Sequence, residues 1–307
     1  MQVLRDFKSS QKLLCTCPPK YTINPYIGCS IGCVYCYGRY FSDFHKKSKK
    51  YQDLSRGIQK EVAIPREGLV EALKKEVKNR PKRLVYLSSI VDPYTYEEEK
   101  YQITREILKI LVKNNFPINV QTKNPGLMLR DLDVLEKSKY FIASVTVTTL
   151  DKEKARKIEP YAPSPQKRLE VLKELSKKFL TTVWIDPIVP YLNDDEKELE
   201  ELIKQVKEAG VRMITSGTLR IVWRYKERIE KALPEIKDKI ASLYFTKPDR
   251  RYIYYYASPE YRYNITKKIR TLADKYKLGF GSCRTCPEFN TRVCDGSGYI
   301  LSLRLES

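Results

Sequence analysis

Asn24-Pro-Tyr-Ile-Gly-Cys-Ser-Ile-Gly-Cys-Val-Tyr-Cys-Tyr37 is the stretch on which the fold and chemistry of this chain turn. It sets Cys29, Cys33 and Cys36 in a C-x3-C-x2-C spacing, with the aromatic Tyr35 just before the last cysteine. Three thiolates on one short loop can hold three corners of a cubane iron–sulfur cluster, because such clusters are ligated by cysteine thiolates. The fourth iron then has no ligand from the loop. An open metal position is where a substrate or cofactor is bound and activated. Zinc is the alternative, but structural zinc wants four protein ligands, often from paired knuckles, and no matching pair lies close by.

Outward from this loop, apolar runs alternate with charged amphipathic stretches, strand then helix, which predicts a parallel sheet. Strands are expected at Tyr21–Pro25, Leu84–Ser88, Ile118–Gln121, Phe141–Thr148, Thr182–Ile188 and Arg212–Thr215. Helices are expected at Glu67–Asn79, Glu97–Val112, Leu132–Lys137, Pro165–Lys178, Asp194–Ala209 and from about Ile221 to Lys239. Such barrels place their chemistry at the carboxyl ends of the strands. The candidate residues sit there: the cysteine loop, Ser88–Tyr94, Thr122–Asn124, Thr146–Thr149, Asp186–Pro190 and Thr215–Thr218.

The loop and several further motifs resemble the radical S-adenosylmethionine (radical SAM) superfamily, in its spore photoproduct lyase-like, "DNA repair photolyase" branch. The motifs are Asp92-Pro-Tyr94, Thr122-Lys-Asn-Pro125, Arg130-Asp131, Glu159-Pro-Tyr-Ala-Pro-Ser-Pro165 with Arg168, and Asp186-Pro-Ile-Val-Pro190. The resemblance implies an α/β fold, a partial open (β/α)6 TIM-type barrel. A change of character from about Thr246, where tyrosines and arginines interleave, divides the chain into an amino-terminal extension (1–20), a core barrel (21–245) and a carboxyl-terminal basic, tyrosine-rich, cysteine-containing region (246–307). The resemblance also implies a [4Fe-4S] cluster on Cys29, Cys33 and Cys36 whose open iron chelates S-adenosylmethionine. Reductive cleavage to a 5′-deoxyadenosyl radical would follow, then hydrogen abstraction from a substrate. The electron would come from a donor such as ferredoxin or flavodoxin.

Within that resemblance, Tyr35 supports the adenine edge, with loop packing as the alternative. Lys123 matches the lysine near the methionyl carboxylate. Ser88 and Ser89 stand where other members carry a Gly-Gly-Glu loop contacting the amino group. The glycine pair is absent here, which leaves backbone carbonyls or Asp92 for that contact. Ser144, Glu159 and Arg168 are further candidates: a carboxylate suits ribose hydroxyls and a guanidinium suits a carboxylate. Ordinary ion pairing is the alternative for these.

A second set, Cys283, Cys286 and Cys294, lies in a glycine-rich segment and points to a second iron–sulfur cluster, with zinc or no metal as alternatives. Cys15 or Cys17 would supply a fourth ligand, or donate hydrogen to a substrate radical as a cysteine does in the photoproduct lyase.

Composition bounds the rest. The 307 residues hold 58 Lys plus Arg against 38 Asp plus Glu, a net charge of +20. Dense charge with one His and three Met resembles proteins from hot environments, but the surplus of one sign fits a polyanionic partner, nucleic acid. Tyrosines and arginines interleaved over Arg250–Tyr263 fit base stacking or plain packing equally. No membrane span or secretory stretch is visible, so a cytoplasmic enzyme is expected. Two alternatives stand beside a nucleic-acid substrate: a radical SAM enzyme acting on a peptide or small metabolite, and a non-catalytic, zinc-stabilised nucleic-acid-binding protein.

Overall fold

The structure is a computed structural model that describes residues 2–6, 17–40, 62–87, 89–283 and 285–300; Cys15 and Ser88 lie outside them. Its main sheet has eight strands, laid side by side in chain order. They are β1 (Arg5–Asp6), β2 (Tyr21–Ile23), β3 (Val85–Leu87), β4 (Ile118–Thr122), β5 (Phe141–Thr146), β6 (Leu180–Ile188), β7 (Met213–Thr218) and β8 (Gly279–Ser282). β2 to β8 are parallel, and β1 pairs antiparallel with β2 at the edge. The chain is thus an α/β partial barrel with one parallel strand more than the six expected. Every residue of β5 and β7 is buried, as befits strands covered on both faces.

Caps and apolar stripes explain the helices that cover the sheet. Ser164 accepts from Lys167 N to start Pro165–Ser176, and Asp195 accepts from Lys197 N and Glu198 N to start Glu196–Glu208. Leu199, Leu202, Ile203 and Val206 bury one face of the latter, and Gly210, at φ 83°, ends it. The helix expected at Glu97–Val112 is two. Gln102 takes φ 50° between them, and the buried Glu98 carboxylate accepts from Thr104 N, Arg105 N and the Tyr26 hydroxyl. The stretch expected as helix from Ile221 begins instead as a strand, Arg220–Val222, which pairs with Tyr254–Tyr256. No helix among the described residues is long and apolar enough to cross a membrane.

The carboxyl-terminal region is built into the core. β8 lies in register on β7 (Gly281 opposite Thr215), and the Arg220–Val222 pairing also crosses the expected boundary at residue 246. A polyglycine-like Gly279-Phe-Gly-Ser282 carries no strand periodicity, which hid β8 from a pattern reading. Gly281 is required there, since a Cβ would lie 2.7 Å from Cys294 Cα. Beyond β8 the chain folds back against polar residues of the sheet. Asn119 Nδ2 donates to Asp295 O at 2.7 Å, and Thr215 Oγ1 donates to Cys294 O at 2.7 Å. This turn brings Cys294 to the cavity where the cysteine loop sits.

Candidate active site

A single cavity at the carboxyl ends of the strands is lined by Cys29, Cys33, Cys36, Asp92, Lys123 and, across from them, Cys17, Cys283 and Cys294. The cysteine loop is docked rather than free. Val34 N donates to Ile158 O, Tyr161 N to Ile31 O, and Arg228 Nη2 to Gly32 O. Gly32, at φ 71°, lies so close to Tyr161 that a Cβ would meet its ring at 2.6 Å.

Burial raises the Cys29 and Cys33 thiols, and Cys36 stands close enough to each to raise them further. Burial chiefly pushes Cys33 up to about 12, with Lys123 working against it. Such thiols ionise when a metal takes the proton's place. No three His, Cys, Asp or Glu side chains among the described residues converge on one metal-ion position. Thiols spread round a shared cavity suit a cubane, in which each sulfur meets a different iron, better than a tetrahedral ion.

Beside the thiols, the loop after β3 is held by Asn24, whose Oδ1 accepts from Ile90 N and Val91 N and whose Nδ2 donates to Ser89 Oγ. Ser89 Oγ also accepts from Thr22, so that hydroxyl serves the loop, while its carbonyl accepts from the Tyr37 hydroxyl at 2.7 Å. Asp92 is anchored by Thr122 Oγ1 (2.6 Å), Tyr94 N and Lys123 N. Burial nevertheless raises its carboxyl pKa.

The Lys123 ammonium stands 5.6 Å from the Tyr35 ring centre and makes no ion pair among the described residues. Burial opposes its charge, yet Cys33, Glu159 and Asp92 outweigh burial and hold it above the ordinary lysine value. A half-buried ammonium on a cavity wall, without an ion pair among the described residues, is placed to receive a carboxylate.

Glu159 and Arg168 are brought together, but not into the cavity lining. They form a buried ion pair at 2.6 Å; Arg168 also donates to Pro163 O and Thr146 O, and Glu159 accepts from the Tyr35 hydroxyl. Their place is therefore beneath Tyr35, fixing its ring, rather than against a ribose or carboxylate. Ser144 lies inside the sheet, bonded to Thr182 Oγ1 at 2.7 Å, away from the cavity.

Of the second cysteine set, three members meet. Cys17 Sγ lies 3.3 Å from Cys294 Sγ, and Cys294 also bonds to Cys283. Cys286 does not join them: its thiol bonds to Thr266, away from the cavity lining. The Tyr–Arg segment resolves mostly toward packing. Tyr254 and Tyr256 are buried, and Arg251 and Arg262 pair with Asp249, which leaves Arg250, Tyr252 and Tyr263 exposed. Trp184, Asp186 and Arg220 also line the cavity, and their site role was not read from sequence, apart from Asp186 within its motif. The one available signal was their position at the ends of two strands.

The model of the radical SAM superfamily matches residues 23–206, which include the whole cysteine loop. The chain belongs to the radical SAM superfamily. It is a radical SAM enzyme, and membership brings the superfamily's four-iron cluster and S-adenosylmethionine; the non-catalytic zinc protein is set aside. Among relatives of this radical SAM chain, the uncharacterized protein Rv2578c of Mycobacterium tuberculosis is 27% identical over 88% of the chain and 78% of its own length. The uncharacterized protein ORF301 of Acidianus two-tailed virus is 32% identical over 70% of the chain and 72% of its own length. A spore photoproduct lyase mutant with bound AdoMet and dinucleoside spore photoproduct has the same fold. Its TM-score is 0.63 at 14% identity, over 88% of this chain and 77% of that one.

Proposed function

We propose that this radical SAM enzyme acts on nucleic acid, a DNA lesion or an RNA base, with Cys29, Cys33 and Cys36 as its cluster ligands. The observation that carries the site assignment is the meeting of those three thiols with the unpaired Lys123 ammonium in one cavity. The cluster and S-adenosylmethionine supply, when bound, a radical able to take hydrogen from an unactivated carbon.

The chain's own residues do the rest. Lys123 takes the methionyl carboxylate. Tyr35, pinned by Glu159 and Arg168, presents its ring to the adenine, and Asp92 or the Ser89 carbonyl receives the amino group. Apolar and aromatic lining, with Ile31, Val91, Trp184 and Leu219, keeps water from the reacting atoms. A ferredoxin- or flavodoxin-type protein delivers the electron.

Two facts support a polynucleotide over a peptide or metabolite. The net charge of +20 favours phosphate backbones, and a protein of the same fold holds a dinucleoside spore photoproduct. Cys17, Cys283 and Cys294 support a second sulfur-ligated centre, without Cys286. Anaerobic reconstitution with reductant and S-adenosylmethionine, followed by detection of 5′-deoxyadenosine, tests the chemistry. Acceleration by single-stranded or damaged DNA or by RNA, lost at high salt, tests the substrate. A peptide or metabolite that alone accelerates turnover overturns it.

A further inference from the structure

Most polar groups of the cavity wall are closely paired, but Arg220 and Asp186 meet only as a loose ion pair. Arg220 and Asp186 both line the cavity, with side chains only 10% and 12% exposed. Their nearest approach, Arg220 Nη2 to Asp186 Oδ2, is 3.8 Å, too long for a hydrogen bond. Arg220 Nη1 is buried without a partner, and so is Nε1 of Trp184, two residues before Asp186 on β6. The guanidinium is held in place by the Tyr37 and Tyr254 rings, 5.3 and 5.8 Å from their centres. On β7 Gly217 leaves room for the Asp186 carboxylate, which a Cβ there would meet at 3.0 Å. Buried polar groups in native proteins are hydrogen-bonded almost without exception. Two buried donors without a partner, Arg220 Nη1 and Trp184 Nε1, beside a carboxylate held only by a loose ion pair, mark the seat of a ligand in the wall that faces the thiols.

We propose that Arg220 and Asp186 form a donor–acceptor clamp that reads the edge of a nucleobase, holding the base in the cavity and leaving its phosphates outside. The proposal rests on the nucleic-acid reading and deepens it. The Watson–Crick edge of every base offers an N–H donor beside an oxygen or nitrogen acceptor, and a flipped base is read on that edge. Arg220 donates to the acceptor and Asp186 accepts from the donor. A phosphate fits poorly, because the carboxylate offsets the guanidinium's charge and repels an oxyanion. Enzymes that act on a base take it out of the stack, read its edge by hydrogen bonds and hold it between aromatic side chains. Tyr37, Tyr86 and Trp184 provide those side chains in this cavity.

The test is binding of fluorescent single strands to the anaerobically reconstituted full chain: four homopolymers and an abasic strand of equal length. At least one homopolymer should bind about tenfold tighter than the abasic strand, the scale of one bidentate base contact. Arg220→Lys and Asp186→Asn should each bring that strand to the abasic affinity, with iron and sulfide content and melting confirming folded protein. Where either fails to fold, Gly217→Ala, which crowds the carboxylate and leaves both side chains intact, should give the same loss. Equal binding of all strands by the unmutated chain overturns the clamp and leaves the polynucleotide reading standing. Variants that weaken the abasic strand as much as the others make Arg220 a phosphate contact, which also overturns the clamp. Absence of binding by any strand overturns both.

Discussion

The ammonium of Lys20 lies 2.5 Å from the carboxylate of Asp295, both buried, across 275 positions of chain. Lys20 also stands over the Tyr86 ring at 4.7 Å, and Asp295 Oδ1 accepts from Ser297 N. The pair fastens the segment before β2 to the turn after β8, and in doing so sets Cys17 against Cys294. Removing one partner of a buried ion pair leaves an uncompensated charge. Asp295→Ala should therefore lower stability by about 3–5 kcal/mol, read as a fall in the denaturation midpoint. Replacing both partners by apolar residues of similar volume should cost much less.

Glu159 works against a second buried cation. Burial opposes its ionisation, but Arg168, Lys123 and the Tyr35 hydroxyl hold its carboxyl below the ordinary glutamate range. A carboxyl lowered on folding contributes stability that is complete above the unfolded value of about 4.3. It is lost as pH falls through the lower folded value. Urea denaturation at stepped pH should show the unmutated chain losing stability in acid more steeply than Glu159→Gln. At neutral pH the variant should be weaker by about 3–5 kcal/mol, because Arg168 is left buried and unpaired.

Lys123→Met removes the ammonium that awaits a carboxylate while keeping the stem. S-adenosylmethionine should bind about tenfold or more weakly, the scale of a lost charge-assisted contact. Iron and sulfide content should stay as they were. Titration calorimetry under anaerobic conditions reads the first and colorimetric assay the second; unchanged affinity would remove Lys123 from the cofactor site.

The two cysteine sets separate by metal content. Alanine at Cys29, Cys33 and Cys36 should abolish 5′-deoxyadenosine formation and remove one cluster's worth of iron. Alanine at Cys17, Cys283 and Cys294 should remove iron too if a second centre sits there, and Cys286→Ala should remove none. Equal iron in the unmutated chain and the Cys17/Cys283/Cys294 variant would leave that trio as plain thiols.

Much of this was legible beforehand where the deciding residues are neighbours in the chain. The cysteine loop, the six strands from Tyr21 to Thr215 and the amphipathic helix before Gly210 follow from spacing and periodicity. Misses came where packing overrode pattern. Gly279-Phe-Gly-Ser282 has no alternation, yet β7 supplies its partner bonds. Glu159 and Arg168 carry the right chemistry for a cofactor, but they pair with each other and do not line the cavity, and sequence says nothing of that pairing. Cys286 sits three residues from Cys283 in the same short cysteine run, yet its thiol bonds to Thr266 while Cys283 lines the cavity.

By itself, the sequence determined the cysteine loop, the superfamily and the succession of strands and helices along the chain, because each is written in residues a few positions apart whose geometry the covalent chain constrains. Only the tertiary structure decided that Lys20 meets Asp295, that Cys17 and Cys294 share a wall, and that Arg220 faces Asp186. Those meetings depend on how the sheet curves and which strand neighbours which, and curvature sums small twists over many strands that no local spacing records.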